Sequence, residues 1–150
     1  MVQQLTVSAR YPDPPDAAFA TARDFAEMAK ASRGMASYRD IPQGAMQDGQ
    51  TYTLNVTVWG VMRNPNYQVH VEALDPAARR IQSREHGWMI RQWDHTLSID
   101  ADGAGSLWTD RILIDCSWAT GFMAWVAKRL YLTRHRNRGG QDIRASLTRH

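Results

Sequence analysis

Two neighbouring stretches hold the densest set of side chains able to do acid–base chemistry: Arg84-Glu85-His86-Gly87-Trp88 and Arg91-Gln92-Trp93-Asp94-His95. Both read as strands, spanning 80–87 and 89–99. Leu97 and Ile99 belong to the core, so the two-residue period puts Arg91, Trp93 and His95 on the inward face with them. Gln92, Asp94, Thr96 and Ser98 then point outward. In the preceding strand Ile81, Ser83 and Glu85 share one face. Antiparallel pairing brings Glu85 near Arg91 or His95. A carboxylate and an imidazole in an apolar pocket can pass a proton to and from a ligand. Enolisation, aldol cyclisation and dehydration all need such a group. The expected catalytic set is His95 and Glu85 as the acid–base pair, with Arg91 holding an oxyanion or carboxylate. The same three residues also fit a purely structural network tying two strands together.

Six tryptophans are many for a chain of 150 residues. Aromatic walls suit flat hydrophobic ligands, though large aromatics also fill ordinary cores. Trp59, Trp93, Trp108, Phe122 and Trp125 are the expected ligand contacts. Asp110 joins them if Trp108 and Asp110 point inward. Both faces of that strand are mixed, so its sequence leaves the inward set open. The histidines (His70, His86, His95, His135, His150) show no metal-binding spacing, and no metal site is expected. Cys116 has no nucleophile signature and reads as a buried structural thiol. No glycine-rich phosphate loop follows a strand, and no cofactor is expected.

These residues need elements to hold them. Leu5–Arg10 alternates as a first strand. Asp13-Pro14-Pro15-Asp16 starts a helical region, with Asp13 as the expected N-cap, and Gly34 stops it. Strands follow at 37–41, 50–60, 67–74, 80–87, 89–99 and 107–116. The expected turns are Met62–Asn66, Asp75–Ala78 and Ala101–Gly105. A long helix runs from Trp118 to about residue 136. Its expected apolar face holds Phe122, Trp125, Val126 and Leu130. A basic tail follows to residue 150, with Gln141–Leu147 adding further helical turns. Hairpin spacings argue for an antiparallel meander, not βαβ units. The reading is α+β: a strongly curved antiparallel sheet of six to seven strands around a long C-terminal helix, with two short helices after the first strand.

Composition narrows the class. Hydrophobic residues make up 43% and charged residues 22%, which is ordinary for one globular domain and excludes low-complexity chains. No apolar run spans a bilayer, and the N-terminus does not read as a signal peptide. With one cysteine, the expected setting is the cytoplasm. Net charge is +3, and the basicity is C-terminal. Lys128, Arg129, Arg134, Arg136, Arg138, Arg144 and Arg149 face only Asp142 among acids. Such a helix either presents a solvated face or docks weakly on anionic lipid. Nucleic acid is not an expected partner, because no stacking platform interleaves the basic run. The sequence leaves the oligomeric state open, a homodimer included.

The order of elements resembles the START-like (SRPBCC, Bet v 1-like, helix-grip) superfamily. The resemblance is carried by Tyr-Pro-Asp-Pro-Pro-Asp-Ala-Ala-Phe leading into the first helix, the Gly49–Gly60 strand, Leu74-Asp75-Pro76, and the Ala101–Thr109 hairpin. It points to the polyketide cyclase/dehydrase and lipid-transport branch and covers nearly the whole chain as one domain, residues 1–150. It implies a deep apolar cavity for a hydrophobic, aromatic or polyketide-like molecule. It implies no shared reaction, because the superfamily has no universal catalytic motif. The alternative is a non-enzymatic lipid or quinone carrier that docks on anionic membranes through its basic C-terminal helix.

Overall fold

The structure is a computed structural model that describes residues 1–149. Strand β1 (Gln3–Tyr11) leads into helices α1 (Pro15–Ala22) and α2 (Phe25–Ala31). Pro15 opens α1, as its fixed φ favours, but Asp13 does not cap it; the N-cap is Pro14. Asp24 breaks the alanine-rich run in two. Its carboxylate accepts from the amides of Ala26 and Glu27 and so caps α2.

A meander follows: β2 (Ala36–Arg39), β3 (Thr51–Val58), β4 (Met62–Asp75), β5 (Arg80–His86), β6 (Gln92–Asp102) and β7 (Gly105–Asp115). The turn expected at Met62–Asn66 lies earlier. Trp59 and Gly60, both with positive φ, reverse the chain, and Met62–Asn66 is already strand. A register shift between Leu54 and Val56 absorbs the mismatch opposite Asn64 and Tyr67. The Asp102–Gly105 hairpin forms where expected. Gly105 is obligatory there, because a Cβ would lie 2.3 Å from the Tyr11 carbonyl oxygen.

A 3-10 turn (Ser117–Ala119) enters the long helix α3 (Thr120–Asn137). Beyond it the expected helical turns are absent. Gly139, at φ 81°, ends the helix, and Gln141–Arg149 forms β8, antiparallel to β1. Polar residues alternate with Ile143, Ala145 and Leu147 in this segment, which is a strand period. The sheet therefore has eight strands, in the order β2-β3-β4-β5-β6-β7-β1-β8.

Helix α3 lies on the inner face of this sheet. Its buried residues are Thr120, Ala124, Val126, Ala127, Tyr131, Arg134 and His135. The expected face is thus rotated: Phe122 and Trp125 are exposed, and small residues make the close contact. One core cluster joins α1 to Ile99, Trp108 and the middle of the sheet. A second joins α3 to Leu5, Val7, Ile112 and Ile114.

Candidate functional site

Between α3 and the concave face of the sheet lies a cavity of about 700 Å³. That volume lies within the range of small-molecule sites. Leu54, Val56, Val69, Leu97 and Val126 are among the apolar residues that line it. Among its polar groups, Glu85, His95, Asp110 and Tyr131 come together on one wall.

Asp110 of β7 is the centre of that wall. Its side chain is almost fully buried, and its two oxygens serve two imidazoles. Oδ1 lies 2.8 Å from Nε2 of His95, and Oδ2 lies 2.9 Å from Nε2 of His135. The cross-strand register explains the first contact. His95 pairs with Ile112 and Leu97 with Asp110, so His95 and Asp110 are diagonal neighbours on one face. The second contact comes from α3, whose Tyr131, Arg134 and His135, with the C-cap Arg138, form a stripe at helical spacing on the sheet side.

A carboxylate oxygen only accepts, so each imidazole carries its proton on Nε2. Nδ1 of His135 then accepts from the Tyr11 hydroxyl at 2.7 Å. Nδ1 of His95 faces the Tyr131 hydroxyl at 3.4 Å and Glu85 Oε1 at 3.9 Å. Glu85 in turn accepts a hydrogen bond from Tyr67. Burial by itself would raise the Asp110 carboxyl. The hydrogen bonds from His135 and His95 overcome that penalty and hold it well below the usual carboxylate range. Burial, with the nearby Glu85 charge, pushes the Tyr67 and Tyr131 phenols well above their ordinary value. Tyr11 is pushed up to about 12, chiefly by burial. All three phenols therefore keep their protons near neutrality.

Arg134 of α3 and Arg138, the C-cap of that helix, share the wall. Arg134 donates to Ser32 Oγ (2.9 Å) and to the Tyr38 hydroxyl (2.8 Å). Arg138 stacks 4.3 Å above the Trp108 ring.

The expected residues divide into two groups. His95, Glu85, Asp110, Trp93 and Trp108 all line the cavity, and Phe122 stands at its mouth. Arg91 does not. Strand β6 begins at Gln92, Arg91 is exposed, and its amide donates to the Asp115 carbonyl. The guanidinium places in the wall are filled by Arg134 and Arg138 instead. Trp59 and Trp125 also lie outside the lining and pack against one another at 5.6 Å. The basic face expected along α3 is divided, since Arg134 and Arg138 turn inward while Arg129 and Arg136 remain exposed. The partner of His95 is likewise shared: Asp110 is at hydrogen-bond distance and Glu85 is farther. Cys116 is buried. Among the described residues, no group of three His, Cys, Asp or Glu is arranged to hold a metal ion. His150 lies outside the described residues.

Sequence reasoning missed His135, Tyr131, Tyr11 and Tyr67. The signal for two of them was present. Tyr131, Arg134, His135 and Arg138 share one helix face at three- and four-residue steps, and that face also carries Ala124 and Ala127.

No protein-family model matches the sequence, and no curated protein is significantly similar to it. Solved structures are similar. The crystal structure of Ara h 8.0201 is 14% identical, with 93% of this chain and 97% of that one covered at a TM-score of 0.68. Major latex-like protein 151 from Panax ginseng is 10% identical, covering 92% and 95% at 0.68. The Zhui aromatase/cyclase from a Streptomyces species is 14% identical, covering 91% of each chain at 0.68. The chain has the α+β helix-grip fold of Bet v 1-like proteins. It aligns with these three structures over almost its full length.

Proposed function

We propose that the protein encloses a hydrophobic, aromatic or polyketide-like molecule and catalyses its enolisation, leading to cyclisation or dehydration. The carrying observation is the placement of the His95–Asp110 pair on the wall of a largely apolar cavity. Asp110 fixes the His95 tautomer and leaves Nδ1 as the basic atom. Nδ1 takes a proton from a carbon beside a ligand carbonyl. The electron pair moves to the carbonyl oxygen, giving an enolate, and Asp110 stabilises the imidazolium that forms. The Tyr131 hydroxyl stands beside Nδ1 and can donate to that oxygen. When the enolate collapses and expels a β-hydroxyl, His95 returns its proton and water leaves. Arg134 and Arg138 oppose the negative charge from the same wall.

A carrier of lipid or quinone would use the same cavity, but it needs few convergent ionisable groups. The linked set of Asp110, His95 and Glu85 favours chemistry. Native mass spectrometry of freshly purified protein, followed by extraction and identification of released molecules, tests the binding half. A bound aromatic, polyketide or similar hydrophobic compound is expected. A protein that takes up no apolar compound, added or co-purified, overturns the reading.

A further inference from the structure

The cavity opens through a surface unlike the rest of the molecule. Val61 at the β3–β4 turn is 76% exposed, Trp88 in the β5–β6 loop 78%, and Trp118 in the 3-10 turn 86%. Phe122 follows at half exposure, and all four border the cavity. Trp125 continues the patch, 6.0 Å from Phe122, and joins it to Trp59. Three separate chain segments thus contribute large apolar side chains to one rim. Soluble monomers rarely expose a continuous patch of this kind without a partner. None of these residues closes the core.

The charge around the rim is positive. Arg63 borders the mouth and is exposed, and Arg129 lies 5.8 Å from the Trp125 ring. Lys128 is adjacent in α3. The carboxylates in the cavity lining, Glu85 and Asp110, are tied into the inner network. Asp115, near Trp118, is engaged by the Ser117 amide at 2.8 Å and by the chain's N-terminal amine at 3.8 Å. Protruding tryptophans with flanking cations match the interfacial zone of an anionic bilayer, where indole rings settle and basic groups meet lipid phosphates.

We infer that the cavity mouth docks on anionic lipid bilayers, with Trp88, Trp118 and Phe122 in the interfacial layer and Arg63, Lys128 and Arg129 on the headgroups. The surface differs from the basic helix face expected from sequence, since Arg134 of that face is buried and Arg138 turns inward over Trp108. Docking there joins the apolar cavity to the bilayer, so a hydrophobic ligand crosses without entering water. In this respect the inference rests on the reading of the cavity as a ligand site.

The test is co-sedimentation of the intact protein with vesicles of phosphatidylcholine alone and of phosphatidylcholine with phosphatidylglycerol. Binding to the anionic vesicles, weakened by salt, is expected. Trp125→Ala should lower partitioning roughly tenfold, the scale for withdrawing one large apolar side chain. Arg129→Glu should lower it as well. Both residues lie outside the cavity lining, so binding of anilinonaphthalene sulfonate in the cavity should be unchanged. No binding to anionic vesicles, or binding that both variants retain, overturns the inference. A concentration-dependent dimer lost in the same variants would show that a second copy covers the rim and would overturn it too. Vesicle binding without any cavity binding of the probe would instead remove the ligand reading and leave docking standing.

Discussion

His95 and Asp110 meet across the β6–β7 ladder at 2.8 Å, and the contact uses Nε2, so the basic nitrogen of His95 is turned to Tyr131 and Glu85. This places a held imidazole on the wall of the cavity. Asp110 acts through that imidazole and is a positioning residue; His95 is the group expected to touch the ligand.

On an identified substrate, His95→Gln should lower kcat by about 10²- to 10⁴-fold, the usual contribution of a general base. Asp110→Asn should cost a similar factor and displace the pH–rate profile, which a merely structural residue would not do. Glu85→Gln should have a smaller effect on kcat. Steady-state kinetics across pH checks all three. Full turnover in His95→Gln would refute the assignment.

Asp110 also governs stability. Its folded carboxyl is held below the ordinary range, so the stabilisation is present above the unfolded value near 3.9 and is lost as pH falls through the folded value. Asp110→Asn leaves two imidazoles without their anion and should cost about 3 kcal/mol at pH 7. The gap between wild type and variant should narrow as pH drops below about 4. Urea unfolding at neutral pH and near pH 3 measures it.

Val56 lines the cavity on β3 and is only partly buried. Val56→Trp should fill the space with little loss of fold stability, because the added ring occupies empty volume. Binding of an apolar fluorescent probe should fall by at least about tenfold, equivalent to 1.4 kcal/mol. Thermal melting of the same sample separates occlusion from unfolding.

Burial, aided by the neighbouring Asp115 charge, pushes the Cys116 thiol up to about 11. The reactive thiolate is scarce near neutrality. Iodoacetamide should label native protein far more slowly than urea-unfolded protein, as read by intact mass. Rapid native labelling would show that the core around Cys116 opens.

The meander was legible because β3 and β6 alternate and the Asp102–Gly105 hairpin has its turn residues. Segment 141–149 was not, since arginine and alanine favour a helix and the pairing partner β1 lies at the other end of the chain. Trp93 and His95 could be put on the inward face because the two-residue period is local, whereas the face of Asp110 stayed open until the β6–β7 register fixed it. Arg91 was misplaced by one residue at a strand start, where the alternation has no ladder to enforce it. Tyr11 and Tyr67 belong to the site through tertiary contacts of β1 and β4, which no short spacing encodes, whereas Tyr131 and His135 share a helix face whose direction is settled by packing against the sheet.

The place of β1 between β7 and β8 separates two time scales of folding. From β2 to β7 each strand pairs with the next in sequence, so each of these ladders closes a short loop, and β7 alone among them also pairs with β1. The ladders of β1, with Gln3 opposite Ile114 and Arg149, close loops of roughly 100 residues or more. Such non-local pairings carry the entropic cost that slows folding. The His95–Asp110 pair therefore belongs to the early, local hairpin. His135 joins Asp110 when α3 packs on the sheet, and Tyr11, which completes the hydrogen bonding, arrives only when β1 pairs across the length of the chain.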